Sequence, residues 1–231
     1  MVPLIEIRNL HFRYPDGTKV LSGIDFQLYE GETVAVLGPN GSGKTTFLLH
    51  LNGLLQGEGE VRICGMPVSK DNLAAIRRKV GIVFQDPNEQ LFMPTVLEDV
   101  AFGPLNLGIA PPEGLERARQ ALAQVGLAGL EQRAPYHLSE GEKRRVALAG
   151  VLAMEPEILV LDEPTTFLDP PGQKDLLALL KTLPQAKVVV THQTSVAASI
   201  AHRAVFFQNG KIIDSGPVRQ VLERHDWFPP D

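Results

Sequence analysis

Two hydrophobic periods divide the first third of the chain. Leu4 to Arg13 and Ile24 to Tyr29 alternate apolar and polar residues, the period-two pattern of strands buried on one face, and predict an antiparallel β layer at the start. Thr33 to Leu37 (TVAVL) is apolar throughout, as a strand covered on both faces would be, and Lys44 to Asn52 reads as a helix. Val61 to Cys64 and Val80 to Phe84 predict short strands, and Leu73 to Arg78 predicts a helix. From Val96 to Leu130 the pattern is mostly helical. Breaks or restarts are expected at Gly103-Pro104 and Ala110-Pro111-Pro112, because proline lacks the amide donor and crowds the preceding turn. Ile158 to Leu161 and Lys187 to Thr191 are again continuous apolar runs, with helical segments between and after them, a last helix from Pro217 to Arg224 and a tail from Asp226 to Asp231. Buried strands alternating with helices predict an α/β domain with a mainly parallel core sheet. The expected division is a single domain over 1–231, with core and antiparallel β subdomain at about 1–85 and 157–231 and a helical subdomain at about 86–156.

Composition changes this picture little. A length of 231 residues suits one compact unit, and 44% hydrophobic residues, 21% charged residues and a net charge of −5 describe an ordinary globular protein. A strongly basic surface for nucleic acid is not expected. The longest aliphatic stretches, such as Val146 to Met154, fall far short of the ~18 apolar residues that cross a bilayer. Met1 to Leu10 has no basic start followed by an apolar core, so a cytoplasmic location is expected. Cys64 is the only cysteine, which excludes an internal disulfide and a cysteine-based zinc site.

Chemistry enters between the TVAVL strand and the following helix. Gly38-Pro39-Asn40-Gly41-Ser42-Gly43-Lys44-Thr45 fits the phosphate-cradling pattern G-x-x-x-x-G-K-[ST] at every fixed position. Glycines let backbone amides turn inward to a triphosphate, and the helix starting at Lys44 directs its positive end the same way. Lys44 would reach the β- and γ-phosphates, the hydroxyl of Thr45 would ligate Mg²⁺, and Thr46 continues the nucleotide-binding segment. A nucleoside triphosphate and Mg²⁺ are therefore the expected ligands. Ile158 to Leu161 leads into Asp162-Glu163, placing two carboxylates at the carboxyl end of a buried strand, where ligands bind in open α/β sheets. Asp162 would hold the metal, and Glu163 would act as general base on the attacking water.

Just before that strand stands Leu138-Ser139-Glu140-Gly141-Glu142, followed by Lys143-Arg144-Arg145. Ser139 with Glu142 three residues on reads as a capping box at a helix start. Together these motifs resemble those of the ATP-binding-cassette (ABC) ATPases, whose signature is usually Leu-Ser-Gly-Gly-Gln, and the resemblance runs through nearly the whole chain. It implies the P-loop ABC ATPase fold and a head-to-tail dimer in which each signature serves the partner's ATP. Ser139, Glu140, Gly141 and Glu142 would then act on the second subunit's nucleotide. By the same resemblance Tyr14 stacks on adenine, Gln85 contacts Mg²⁺ and water, Asp169 communicates across the dimer, and His192 contacts the γ-phosphate.

Glu140 stands where the family usually has glycine, and Glu142 where it often has glutamine. Two carboxylates near a γ-phosphate repel it, so Glu140→Gly is expected to raise turnover or tighten ATP-driven dimerisation in a steady-state assay. Phe167 is bulkier than the residue usual before Leu-Asp. Val83 to Phe92 (VFQDPNEQLF) and Glu98 to Gly108 (EDVAFGPLNLG) resemble the energy-coupling-factor group, above all the cobalt and nickel importers' ATPase, with the biotin and vitamin types close behind. The resemblance implies a second ATPase subunit, as homodimer or related heterodimer, a transmembrane coupling protein and a substrate-capture membrane protein, on the cytoplasmic face of the membrane. Asp86 and Glu89 could receive arginines of the coupling protein, and charge reversal at both is expected to abolish membrane assembly. The six histidines have no spacing suited to a cobalt or nickel site. A soluble ABC ATPase acting on DNA or ribosomes is the alternative, but Lys44 and Ser139 are 95 positions apart without sustained heptads. A nucleotide-gated subunit with little hydrolysis is the other.

Overall fold

The alternating segments pair as strands. β1 (Ile5–Arg13) and β2 (Lys19–Leu28) run antiparallel, turning Ile5, Ile7 and Leu10 of one and Leu21, Ile24, Phe26 and Leu28 of the other into the core. The computed structural model describes residues 2–227; Met1 and the end of the tail, 228–231, lie outside it. β3 (Thr33–Leu37) is buried at every position and leads through the glycine-rich loop into α1 (Lys44–Leu51). β4 (Glu58–Ile63), which begins three residues ahead of the expected strand, joins the other edge of β1, and β5 (Met66–Pro67) closes a sheet of order β2-β1-β4-β5.

α2 (Leu73–Lys79) and β6 (Val80–Val83) come next, and then three helices, α3 (Val96–Asn106), α4 (Pro111–Gln124) and α5 (Glu140–Leu152). β7 (Ile158–Asp162), α6 (Pro170–Thr182), β8 (Ala186–Val190), α7 (Thr194–Ile200), β9 (Arg203–Gln208), β10 (Lys211–Pro217) and α8 (Val218–Arg224) complete the order. The second sheet runs β10-β9-β3-β8-β7-β6, parallel except for β10 at its edge. Its residues alternate between two cores. Val160, Val188 and Val190 pack toward the antiparallel sheet and α1, while Leu159, Leu161 and Val189 pack toward α3, α5 and α6. Lys187 lies buried within β8 because its Nζ donates to the carbonyls of Leu183 (2.6 Å) and Gln185 (2.8 Å).

Two expectations need correction. α3 does not break at Gly103-Pro104 but runs through to Asn106. Pro104 falls in the last turn of a helix held at its start by a Thr95–Glu98 capping box and at its end by Leu107 N–H donating to the carbonyls of Gly103 and Pro104. The chain after β8 is also not helical alone, because β9 and β10 form a hairpin across Asn209-Gly210, both at positive φ (49° and 73°), the turn chemistry that matches strand twist. No helix among the described residues is long and apolar enough to cross a membrane.

Candidate active site

The loop after β3 holds Gly38, Gly41 and Gly43 at positive φ, and at Gly38 the space excludes any side chain. Gly38 has φ 138°, and a Cβ there would lie 2.2 Å from the carbonyl oxygen of Phe207. Gly43 has φ 104°, with Val20 O and Leu21 3.1 Å from its would-be Cβ. Lys44 Nζ crosses the loop and donates to the carbonyls of Gly38 (2.8 Å) and Pro39 (2.9 Å). Burial lowers the Lys44 pKa, while Glu163 and Asp162 act in the opposite direction. No side chain caps the start of α1, no acid stands in its first turn, and the buried Ser42 Oγ has no partner among the described residues. Free amides at a helix start with a positive end make an anion site.

Across from the loop, the ends of β7 and β8 bring the acids into place. Thr45 Oγ1 donates to Asp162 Oδ2 at 3.1 Å. Burial pushes the Asp162 pKa up and Glu163 adds to it, against the Thr45 hydrogen bond and Lys44, which lower it. Glu163 follows in a left-handed conformation (φ 46°), its N–H donating to Val190 O at 2.9 Å. Its Oε1 lies 2.9 Å from His192 Nδ1, while its buried Oε2 has no partner among the described residues. Gly41, Lys44, Thr45, Gln85, Asp162 and Glu163 all line one cavity of about 330 Å³. Tyr14 stands beside it, its hydroxyl 3.2 Å from Thr46 Oγ1 and its ring edge-on to Phe12.

The donor set fits Mg²⁺. A hydroxyl and a carboxylate 3.1 Å apart are hard oxygen ligands, of the kind Mg²⁺ uses when it keeps waters and shares substrate phosphates. Among the described residues no group of three or more His, Cys, Asp or Glu could hold a metal ion by itself.

The second motif lies elsewhere. Ser139 accepts from Glu142 N–H at 3.3 Å and Glu142 Oε2 accepts from Ser139 N–H at 2.8 Å, the expected capping box at the start of α5. Glu140 is paired with Lys143 at 2.9 Å, and Lys143 also reaches Asn88 at 3.2 Å. None of residues 139–142 lines the cavity around the loop. Asp169 accepts from Gly172 N–H at 3.0 Å and so starts α6. Asp86 likewise starts the short turn Pro87–Glu89, accepting from Asn88 N–H at 2.8 Å.

Residues 21–166 match the model of the ABC transporter family. The chain belongs to that family. It is 52% identical over 225 residues to the energy-coupling factor transporter ATP-binding protein EcfA of Methanothermobacter thermautotrophicus, covering 95% of this chain and 72% of that protein. Among solved structures it is similar to cbiO1 from Clostridium perfringens, part of the ABC transporter complex cbiONQ, with TM-score 0.88, 35% identity and coverage of 98% and 93%. It is also similar to the ATP-binding cassette MJ0796 in a dimeric post-hydrolysis state bound to ADP and Pi, with TM-score 0.83, 32% identity and coverage of 93% and 99%. The fold is that of an ABC ATPase, and the chain is an ATP-binding, ATP-hydrolysing subunit of the energy-coupling-factor type.

In this ABC ATPase three side chains near the site had no reading of their own in the sequence. Gln90 imitates a strand neighbour, accepting from Phe84 N–H (2.9 Å) and donating to Ile82 O (3.1 Å), and thereby fixes the loop that carries Gln85. Lys143 offsets the charge of Glu140. Arg144, in the middle of three consecutive basic residues, turns inward and is buried. The run of basics was visible, but which of them faces the core depends on the rotation of α5.

Proposed function

We propose that this ABC ATPase powers an energy-coupling-factor importer. It pairs with a second ATPase subunit on ATP and drives uptake of a transition metal ion, cobalt or nickel, or of a vitamin through membrane partners. The observation that carries the chemistry is the single cavity shared by the phosphate loop, Thr45, Asp162, Glu163 and Gln85. The loop amides hold the phosphates, and Lys44 exchanges its two carbonyl partners for the β- and γ-phosphate oxygens. Thr45, Asp162 and Gln85 would hold Mg²⁺, which offsets phosphate charge when bound. Tyr14 supplies an aromatic face to the adenine.

Glu163 Oε2, without a partner among the described residues, takes the proton of the attacking water, while His192 at Oε1 keeps the carboxylate turned toward the γ-phosphate. The water oxygen bonds to the γ-phosphorus as the bond from that phosphorus to the bridging oxygen breaks, and ADP and phosphate leave. The position of residues 139–142 outside the cavity of their own chain supports a signature that acts on the second subunit's ATP, with Asp169 communicating between the two. An apolar groove of about 480 Å³, lined by Leu54, Leu91, Phe92, Phe102 and Met154 with Glu89 among its residues, supports docking of a cytoplasmic helix of the coupling protein, on the cytoplasmic face of the membrane. Asp86 is committed to its turn, so Glu89 is the acid better placed to meet a partner's arginine.

Two measurements test this reading. Glu163→Gln is expected to trap an ATP-bound dimer with little turnover, and a variant as fast as the parent would disprove the assigned base. The tagged chain drawn from gently solubilised native membranes is expected to bring with it a coupling protein and a small substrate-capture protein; mass spectrometry that finds soluble partners alone rejects the importer.

A further inference from the structure

Arg144 lies in the second turn of α5 and is 2% exposed. So deeply buried a charge normally has a carboxylate partner. Arg144 makes no salt bridge among the described residues, and its guanidinium donates instead to three backbone carbonyls: Glu163 at 3.2 Å, Gln85 at 2.9 Å and Thr166 at 2.8 Å. Those carbonyls belong to two separate segments: Gln85 follows β6, and Glu163 and Thr166 follow β7, three residues apart in one turn. Burial works against the charge of Arg144, with Glu140 and Asp86 in its favour.

We infer that Arg144 is a positioning residue for hydrolysis, whose guanidinium holds the backbones of Gln85 and Glu163 at one fixed separation across the γ-phosphate site. The inference rests on the reading of Glu163 as base. Glu163 leaves β7 with φ 46°, a conformation that persists only where surrounding contacts over-determine it. Its N–H is held by Val190, and its carbonyl accepts both from Thr166 N–H at 3.1 Å within its own turn and from Arg144, so the arginine is the contact that ties this turn to α5 and to Gln85. A rigid fork with several donors can serve three carbonyls at once, whereas the single ammonium of lysine cannot hold the same three in place. Arg144 itself does not line the cavity; it acts through the two residues that do. Because it rides on the helix capped by Ser139, any shift of α5 reaches Gln85 and Glu163 together.

The test is steady-state ATPase kinetics on the full chain for Arg144→Met and Arg144→Lys, with the equilibrium affinity for ADP measured beside it. For Arg144→Met, kcat is expected to fall at least about tenfold while KM for ATP and Kd for ADP stay within about threefold, with Arg144→Lys intermediate. A parental kcat, or KM and Kd worsening in step with kcat, overturns the inference, the second because it marks general loss of structure. If Arg144→Met does not fold, Arg144→Lys decides: a lowered kcat with unchanged Kd supports positioning, and a parental kcat refutes it. Glu163→Gln separates the two readings. Parental turnover there removes the base, whereas an inactive Glu163→Gln beside a fully active Arg144→Met removes the positioning role alone.

Discussion

The residues of the phosphate loop are determined by what surrounds them as much as by what they would bind. Gly38 combines φ 138° with a carbonyl oxygen 2.2 Å from any added Cβ, and that oxygen belongs to the backbone of β9, a strand flanked by β10 and β3. Gly38→Ala is therefore expected to lower the unfolding free energy by about 3 kcal/mol or more and to abolish ATP binding; chemical denaturation that finds less than about 1 kcal/mol lost would mean that β9 yields more easily than its packing suggests. Glu140 shows the opposite case, a residue whose effect is softened by a neighbour. Its ion pair with Lys143 at 2.9 Å reduces the repulsion expected from the sequence, so the gain in turnover from Glu140→Gly is expected to be modest, within about threefold, as surface pairs are worth about 0–1 kcal/mol. The loop, the Asp162-Glu163 pair and the Ser139–Glu142 box were legible because each is a local pattern with fixed spacing. The Arg144 contacts were not, because they join positions 19, 22 and 59 residues away, and no local pattern announces which carbonyls a buried arginine will meet.

Elements were legible where their period was clean and obscured where two signals competed. The proline of Gly103-Pro104 was a genuine breaker signal, outweighed by capping and by the buried face of α3. Asn209-Gly210 marked a hairpin that the apolar run of β9 also supported, but the strands lie beside helices on both sides in sequence and lacked a clear alternation of their own. α3 also carries a testable electrostatic cost. Asp99 accepts from Phe92 N–H and Met93 N–H, each at 3.0 Å, and its other oxygen is buried without a partner among the described residues. Burial raises its pKa above the ordinary carboxylate value, the two amides lower it, and Glu98 raises it again, with a net rise. A carboxyl raised on folding stabilises the protein below its unfolded pKa of about 4 and loses that contribution as pH climbs through the folded value. Asp99→Asn keeps an oxygen for the two amides and removes the titration, so its stability relative to the parent should improve as pH rises above about 4. Urea titrations across that range measure it, and a difference that stays flat or moves the other way refutes the assignment.

At the scale of the whole molecule the decisive fact is a separation. The signature residues at the start of α5 do not line the cavity that holds Lys44, Asp162 and Glu163, and Gly141 instead borders a small cleft with Leu168 and Gly172. On the proposed reading a single chain offers the phosphate loop and the signature as two half-sites, and two copies related by a two-fold axis would complete two sites at once. The consequence distinguishes binding within a chain from assembly between chains. In Glu163→Gln, where hydrolysis no longer reopens the dimer, ATP is expected to shift the chain to twice its mass in light scattering. Adding Ser139→Arg to that background is expected to abolish the shift, because a bulky side chain then stands where the partner's γ-phosphate must approach. Nucleotide affinity of the monomer is expected to stay within about threefold of the single variant, since Ser139 takes no part in the cavity of its own chain. Were the signature to serve the nucleotide of its own chain, the same substitution would weaken monomer binding and dimerisation together, and equilibrium binding at concentrations too low for dimerisation tells the two apart.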